Sequence, residues 1–200
     1  VGYVDSGSEG SRWSSQNFLI EDVDHMAARY GLQEIEVPHT MRSEMDLAQT
    51  ALVEVFQFMI GNVDYSTLKS PEGEDCCHNT RLVATSGAKS GFIPVAYDFD
   101  SSGIINAPYA TLPANVPIKK ISTRYFLGWC KEEERYREAV ERINARKNEA
   151  IALFQDSPLL SKVYRKRAVR YLEDSYDDLN NEDYFERKIL GQCRGEVIKG

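Results

Sequence analysis

Three short stretches of the sequence hold side chains suited to phosphate chemistry. Asp64 closes the run Gly61-Asn62-Val63-Asp64, and His78 and Asn79 stand together before an apolar run. Asp98 and Asp100 follow a second apolar run, in Tyr97-Asp98-Phe99-Asp100. Amide and carboxylate oxygens without an accompanying His and Cys set suit a hard cation such as Mg²⁺. A free carboxylate beside such a cation can accept the proton of an attacking hydroxyl. Phosphoryl transfer needs these parts: metal on the phosphate oxygens and an aspartate that orients the nucleophile.

Those side chains depend on the elements that carry them. The apolar runs 81–84 and 92–96 flank a Ser-Gly-Ala-Lys-Ser-Gly turn and predict a β-hairpin. The ends of a hairpin lie together, so Asn79 at its entry and Asp98 at its exit should converge. Asp64 falls on the polar loop 62–79, whose centre (69–75) is expected to be exposed. A helix should lead into that loop. Its start is predicted at Ser43, with Asp46 completing a capping box, and its end at Gly61. Ala48, Leu52, Val55, Phe56 and Met59 recur along it at helical spacing.

Upstream, strands are predicted at 2–4 and 17–20, joined by a Ser/Gly-rich turn at 5–11. A short helix follows, capped by Asp22, with Val23, Met26 and Ala27 on its apolar face and Gly31 as its stop. After a loop over 97–117 the chain turns mostly helical. One helix is expected over 132–154, with Tyr136, Val140, Ile143, Ala150, Ile151 and Phe154 on one side. The next should carry Pro158 in its first turn and Leu160, Val163, Tyr164, Ala168, Tyr171 and Leu172 as a core stripe. A last short helix is placed at 183–190. No internal repeat or strong domain boundary is visible.

The 200 residues are 42% hydrophobic and 28% charged, the balance of an ordinary globular protein. A formal net charge of -7 argues against a nucleic-acid backbone as the main partner. No run approaches the roughly 18–20 apolar residues of a membrane span. Four cysteines do not make a disulfide framework at this length, and no spacing fits a zinc site. Cys76 and Cys77 fall in a polar loop, and adjacent cysteines seldom bond. Cys130 follows an apolar-aromatic stretch and reads as a buried thiol, with a Cys130–Cys193 bridge as the alternative in an exported protein. His78 reads as an orienting or packing residue, and His25 and His39 as surface residues. Arg165-Lys166-Arg167 reads as the solvated face of a helix.

The order Asp, Asn, hairpin, Asp is similar to the catalytic loop and metal-binding aspartate of protein kinases, although His-Arg-Asp and Asp-Phe-Gly are missing. Gly61-Asn62-Val63-Asp64, His78-Asn79 and Pro94-Val95-Ala96-Tyr97-Asp98-Phe99-Asp100 more closely resemble the atypical kinases. The nearest are the spore-coat CotH-type protein kinases, with the HipA-type serine kinases more distant. Within the CotH-like group, the likeness is to bacterial proteins carrying Tyr-Asp-Phe-Asp-x-Ser-Gly. The CotH family also has an apolar strand ending in Glu before a helix, as Phe18-Leu19-Ile20-Glu21-Asp22-Val23-Asp24 reads here.

The resemblance spans residues 17–109. It implies an α+β, mostly helical protein-kinase-like C-lobe at 22–200, with remnant N-lobe strands and the hinge at 1–21. It implies Asp64 as the catalytic aspartate, and Asn79 and Asp98 as Mg²⁺ ligands. Asp100 would be a second carboxylate ligand or take the place of Asp98. The hinge at Glu21 would contact adenine, and ATP would give its γ-phosphate to a protein hydroxyl. Two departures stand out: a longer loop around 67–77, and no Gly-rich phosphate loop, strand lysine or partnering helix glutamate. With Val1 opening inside a strand-like run, these lead us to expect an N-terminally truncated member. CotH-type and similar bacterial proteins are often exported or coat-associated, which extends to this chain as an expectation. The rival readings are a pseudokinase or binding module that keeps the fold without turnover, and a helical interaction protein whose acidic loops are incidental.

Overall fold

The computed structural model describes residues 2–4, 12–14, 19–114 and 116–195. The central element is helix α2 (Leu47–Ile60), and it buries more than its apolar residues. Thr50, Glu54 and Gln57 are as inaccessible as Ala51, Val55 and Phe58, while Ala48, Leu52 and Phe56 are only half-buried. Its cap is Asp46 and not Ser43. The Asp46 carboxylate accepts from the Gln49 N–H at 2.9 Å. Ser43 is taken up in a preceding 3₁₀ turn (Arg42–Glu44), where Glu44 accepts from the Met41 N–H at 2.8 Å.

Beside α2 lies a small antiparallel sheet. Strands β3 (Gln33–Glu34), β4 (Thr80–Ala84) and β5 (Ile93–Ala96) follow one another in space, with Thr80 opposite Ala96 and Leu82 opposite Pro94. Pro94 donates no N–H, which an edge strand tolerates. The predicted hairpin is therefore present, and β3 is an addition whose two residues are too few to carry a pattern.

Near the start, β1 (Gly2–Val4) pairs with β2 (Arg12–Ser14). The second strand was expected at 17–20. Residues 17 and 18 and the turn 5–11 lie outside the described residues. Leu19 and Ile20 belong to no strand and are 98% and 61% exposed. Helix α1 (Val23–Ala28) is capped as expected, Asp22 accepting from the Asp24 and His25 N–H groups.

The remaining half is helical: α3 (Glu133–Asn144), α4 (Lys147–Gln155), α5 (Lys162–Asn180) and α6 (Glu182–Phe185), the last running into a π-type turn (Glu186–Leu190). The single helix expected over 132–154 is thus two. The apolar positions of α3 end at Ile143, and the polar run after it turns at Ala145 and Arg146 so that α4 lies along α5. Pro158 sits in the connecting turn, and Ser161 caps α5 through the Tyr164 N–H. The core stripe of α5 runs through Ala168, Leu172, Tyr176 and Leu179. Val163 and Tyr164, expected inside, are 77% and 56% exposed because α4 and the start of α5 project beyond the main core. The architecture is α+β, mostly helical, with one small three-stranded sheet. Among the described residues no helix is long and apolar enough to cross a membrane.

The helical core closes around a buried charge. Glu54 is wholly inaccessible, and the Lys131 ammonium donates to its Oε2 at 2.6 Å, to the Trp129 carbonyl at 2.8 Å and to the Tyr136 hydroxyl at 3.1 Å. The Trp129 N–H donates to Glu54 Oε1 at 3.3 Å, and the Tyr136 hydroxyl donates to the Trp129 carbonyl. Burial pushes the Glu54 carboxyl up and the Lys131 ammonium down from their ordinary values, while their mutual attraction opposes both shifts. Gly128 permits the approach: a β-carbon there would collide with the Phe126 ring and come within 2.7 Å of Glu54 Oε2.

Both cysteine expectations are corrected. Cys130 is bonded to Cys193. Cys76 and Cys77, adjacent cysteines expected to stay unbonded, are bonded to each other, and both are buried among Met45, Leu68, Leu82 and Phe92.

Removing one member of the buried ion pair leaves the other unsatisfied. Lys131→Met should therefore cost about 3–5 kcal/mol in urea unfolding, and Glu54→Gln/Lys131→Met less than that single change. A double variant no more stable than Lys131→Met would show that the pair is not coupled. The Cys130–Cys193 bond spans 63 residues, so Cys130→Ser/Cys193→Ser should lose about 4 kcal/mol by loop entropy. An unchanged urea midpoint would show that this bond does not restrain the chain.

Candidate active site

At the end of α2 the chain turns sharply at Gly61, in the left-handed region with φ 68°. A β-carbon there would come within 3.3 Å of the Gly103 backbone and collide with the Tyr171 hydroxyl. The close approach is sealed by two backbone hydrogen bonds, Gly103 N–H to Gly61 O and Ile104 N–H to Ile60 O, both 3.0 Å. The segment following β5 is thereby fastened to the end of α2.

Asn62, buried to 1% exposure, works in both directions from this junction. Its Oδ1 accepts from the Asp64 N–H at 2.9 Å, and its Nδ2 donates to the Asp98 carbonyl at 3.4 Å. The loop that carries Asp64 and the exit of β5 are thus joined through one side chain. Asn62 escapes a motif search because its role is to place the backbone of its neighbours. A buried amide between Gly and an apolar residue is the only local sign.

On the other side of Asp64 stands the entry to β4. Backbone hydrogen bonds close a tight turn between Cys77 and Thr80 in both directions, at 3.0 and 3.1 Å. Asn79 sits in that turn with φ 53°, a left-handed conformation that Asn adopts more readily than most residues. Its Nδ2 donates to the Asp64 carbonyl at 2.6 Å and to Asp64 Oδ2 at 3.3 Å. His78 Nε2 lies 2.9 Å from Asp64 Oδ1. Asp64 is thereby held at its backbone and at both carboxylate oxygens, and His78 takes the orienting role.

The hairpin register completes the arrangement. With Thr80 opposite Ala96, Asn79 falls opposite Tyr97, whose N–H reaches the Asn79 carbonyl at 3.4 Å. Asp98 follows directly. Its Oδ1 accepts from the Asp100 N–H at 3.2 Å, which folds the two carboxylates into one turn. Their negative charge, Asp100 foremost, pushes the phenol of nearby Tyr109 up from its ordinary value. Asp64, Asn79, Asp98 and Asp100 are therefore gathered at one end of the hairpin.

Among the described residues no three His, Cys, Asp or Glu side chains form a metal cluster. A hard cation held by an amide oxygen and carboxylates needs no such cluster. Because Asn79 spends its NH₂ group on Asp64, its Oδ1 is left as a donor oxygen, and Asp98 retains Oδ2. Amide and carboxylate oxygens are the donor types that Mg²⁺ takes, with water and phosphate completing its shell.

Glu21 lies apart from this group. It sits on an exposed segment without strand pairing, and its carboxylate is forked onto Arg29, which lowers its pKa. It does line a cavity of about 460 Å³ shared with Ile20, Val23, Val95, Tyr97 and Arg81. Arg81 and Tyr97 also line a second cavity of about 470 Å³ beside His78 and Asn79. The Arg81 guanidinium lies 5.6 Å from the centre of the Tyr97 ring and 3.8 Å from Glu34. Burial pushes the Glu34 carboxyl up, and the Arg81 charge opposes it. Arg81 was read from the sequence only as part of an apolar run.

The grip on Asp64 can be tested by separating the Asn79 amide from its backbone. Asn79→Ala removes both hydrogen bonds and strains the positive φ, and should cost about 1–3 kcal/mol in urea unfolding. Asn79→Gly relieves the backbone alone and should recover at most about 1 kcal/mol of that loss. A glycine variant as stable as the wild type would show that the amide does not hold Asp64. Compared with known protein families, curated proteins and solved structures, the chain has no significant match, so its chemistry must be read from its own atoms.

Proposed function

We propose that the chain is the C-lobe part of a CotH-like atypical kinase, transferring the γ-phosphate of ATP to a protein hydroxyl. The observation that carries this reading is the clasp on Asp64. Asn79 and His78 hold the carboxylate, and the hairpin register sets Asp98 one residue beyond the position opposite Asn79.

In this reading Asp64 faces the acceptor and takes its proton as the hydroxyl oxygen bonds to the γ-phosphorus. The bond from that phosphorus to the bridging oxygen breaks, and ADP leaves with the electron pair. Asn79 and Asp98 would hold Mg²⁺, with Asp100 as a further carboxylate ligand. The ion would supply charge neutralisation on the phosphate oxygens. Asn62 fixes the spacing between Asp64 and Asp98. Arg81, at the wall between the two cavities, offers a guanidinium to the phosphates. The cavity bordered by Ile20 and Glu21 is the space for the base, with 1–21 as the hinge side and 22–200 as the C-lobe. Two disulfides support an exported or cell-surface setting.

Calorimetry with Mg²⁺-ATP, on these residues within their full natural polypeptide, is the direct test. Binding should be abolished by Asp98→Ala. Asp64→Asn should keep the binding heat while transfer to a generic protein acceptor falls about 10²–10⁴-fold. Binding without transfer by the wild type would assign a pseudokinase or binding module. No binding by the wild type would remove the nucleotide reading and leave an interaction protein.

A further inference from the structure

Helix α5 carries its charges the wrong way round for an isolated helix. Lys162, Arg165, Lys166, Arg167 and Arg170 fill its first half, and Glu173, Asp174, Asp177 and Asp178 its second. It has no acidic residue in its first turn and no basic one in its last. The helix dipole favours the opposite placement, so this distribution costs stability unless something outside the helix compensates.

Two of these charges are used within the chain. Arg167 donates to the Ile105 carbonyl at 2.6 Å, and Asp178 accepts from Arg124 at 2.6 Å. The others form one stripe at three- and four-residue spacing: Lys162, Arg165, Lys166, Arg170, Glu173, Asp174 and Asp177, with Val169 at its middle. Together with Lys147 and Gln155 of α4 they line an open groove of about 840 Å³. Arg165 reaches the Gln155 carbonyl at 3.5 Å. Among the described residues, Lys162, Lys166, Arg170, Glu173, Asp174 and Asp177 form no salt bridge.

We propose that this groove is a homodimer interface, filled by α5 of a second copy of the chain running antiparallel. The stripe is self-complementary about a two-fold axis crossing α5 between Val169 and Arg170. That axis sets Lys162 opposite Asp177 of the other copy, Arg165 opposite Asp174 and Lys166 opposite Glu173, and each pair occurs twice. All three pairings join opposite charges, as an isologous interface requires. Antiparallel alignment also opposes the two helix dipoles favourably. The seam from Lys162 to Asp177 is roughly 23 Å long at the helical rise of 1.5 Å per residue. At its ends, Leu153, Leu159 and Val163 are each at least 66% exposed and supply the apolar area that charges alone lack. The surface lies on the helical hairpin formed by α4 and α5 and does not depend on the phosphotransfer reading.

The test is sedimentation velocity of the full chain over a range of concentrations and NaCl. The wild type should dimerise at low ionic strength and dissociate as salt rises. Lys162→Glu/Lys166→Glu and, separately, Glu173→Lys/Asp177→Lys should each raise the dimer dissociation constant at least about tenfold, because like charges then face each other. These side chains are exposed, and circular dichroism should show both variants folded. An equimolar mixture of the two should associate again, since the Lys162/Asp177, Arg165/Asp174 and Lys166/Glu173 positions then once more join opposite charges across the mixed dimer. A monomeric wild type, a dimer indifferent to either reversal, or a mixture that stays monomeric would overturn the proposal.

Discussion

The rest of the structure depends on a charge that has no water. Glu54 is placed in the middle of α2, where the chain could have had another leucine, and it is satisfied only because Lys131, Trp129 and Tyr136 converge on it. A buried ion pair of this kind is weak evidence for stability, because desolvation offsets much of the attraction. What it does impose is a demand for partners. The segment from Gly128 to Lys131 packs against α2 with the Lys131 ammonium and the Trp129 N–H on Glu54, and α3 follows from there. The same segment is tied to the end of the chain by the Cys130–Cys193 bond, and by the Cys130 N–H to Arg194 O and Arg194 N–H to Gly128 O hydrogen bonds. Arg42 donates to the Cys130 carbonyl from the turn before α2. The start and end of the helical half are therefore held against the element that delivers Asp64.

Rigidity at the candidate site follows the same logic in a more polar setting. Asp64 has no freedom left at its backbone and little at its carboxylate, since Asn62, His78 and Asn79 all act on it. The NH₂ group of Asn79 is consumed internally, on the Asp64 carbonyl and carboxylate, which leaves its side-chain oxygen as the atom a cation could take. This is the physical basis for the proposed metal site, and it agrees with the proposed role of Asp64 as proton acceptor. The vicinal Cys76–Cys77 pair, buried directly before His78, anchors the strand entry in the apolar cluster under the sheet.

The inverted charge pattern of α5 belongs to a different level of organisation. Its inner face obeys the rule for a core helix, with Ala168, Leu172, Tyr176 and Leu179 buried. Its outer face breaks the rule for a solvated one. A helix evolving only for its own stability would place acids first and bases last. The proposed two-fold partner gives that reversal a reason, and places it on the helical hairpin that projects beyond the main core.

Sequence alone determined the elements whose pattern is local. Gly61 ended a helix, two short apolar runs around a Ser/Gly turn made a hairpin, and Asp22 capped α1, because spacing and turn chemistry act over a few residues. Hairpin geometry also brought Asn79 and Asp98 into one region without knowledge of any other contact. What only the tertiary structure decided were the features set by distant partners. Whether α2 started at Ser43 or Asp46 depended on which side chain found the free N–H. The break between α3 and α4 came from packing on α5, with no proline or glycine to announce it. Burial of Glu54 required a lysine 77 residues away, and the placement of the Asn79 amide required Asp64 across a folded loop. Local pattern fixes where chain segments are able to bend. Desolvation, which depends on what arrives from elsewhere, decides which polar groups must be paired and so which way they face.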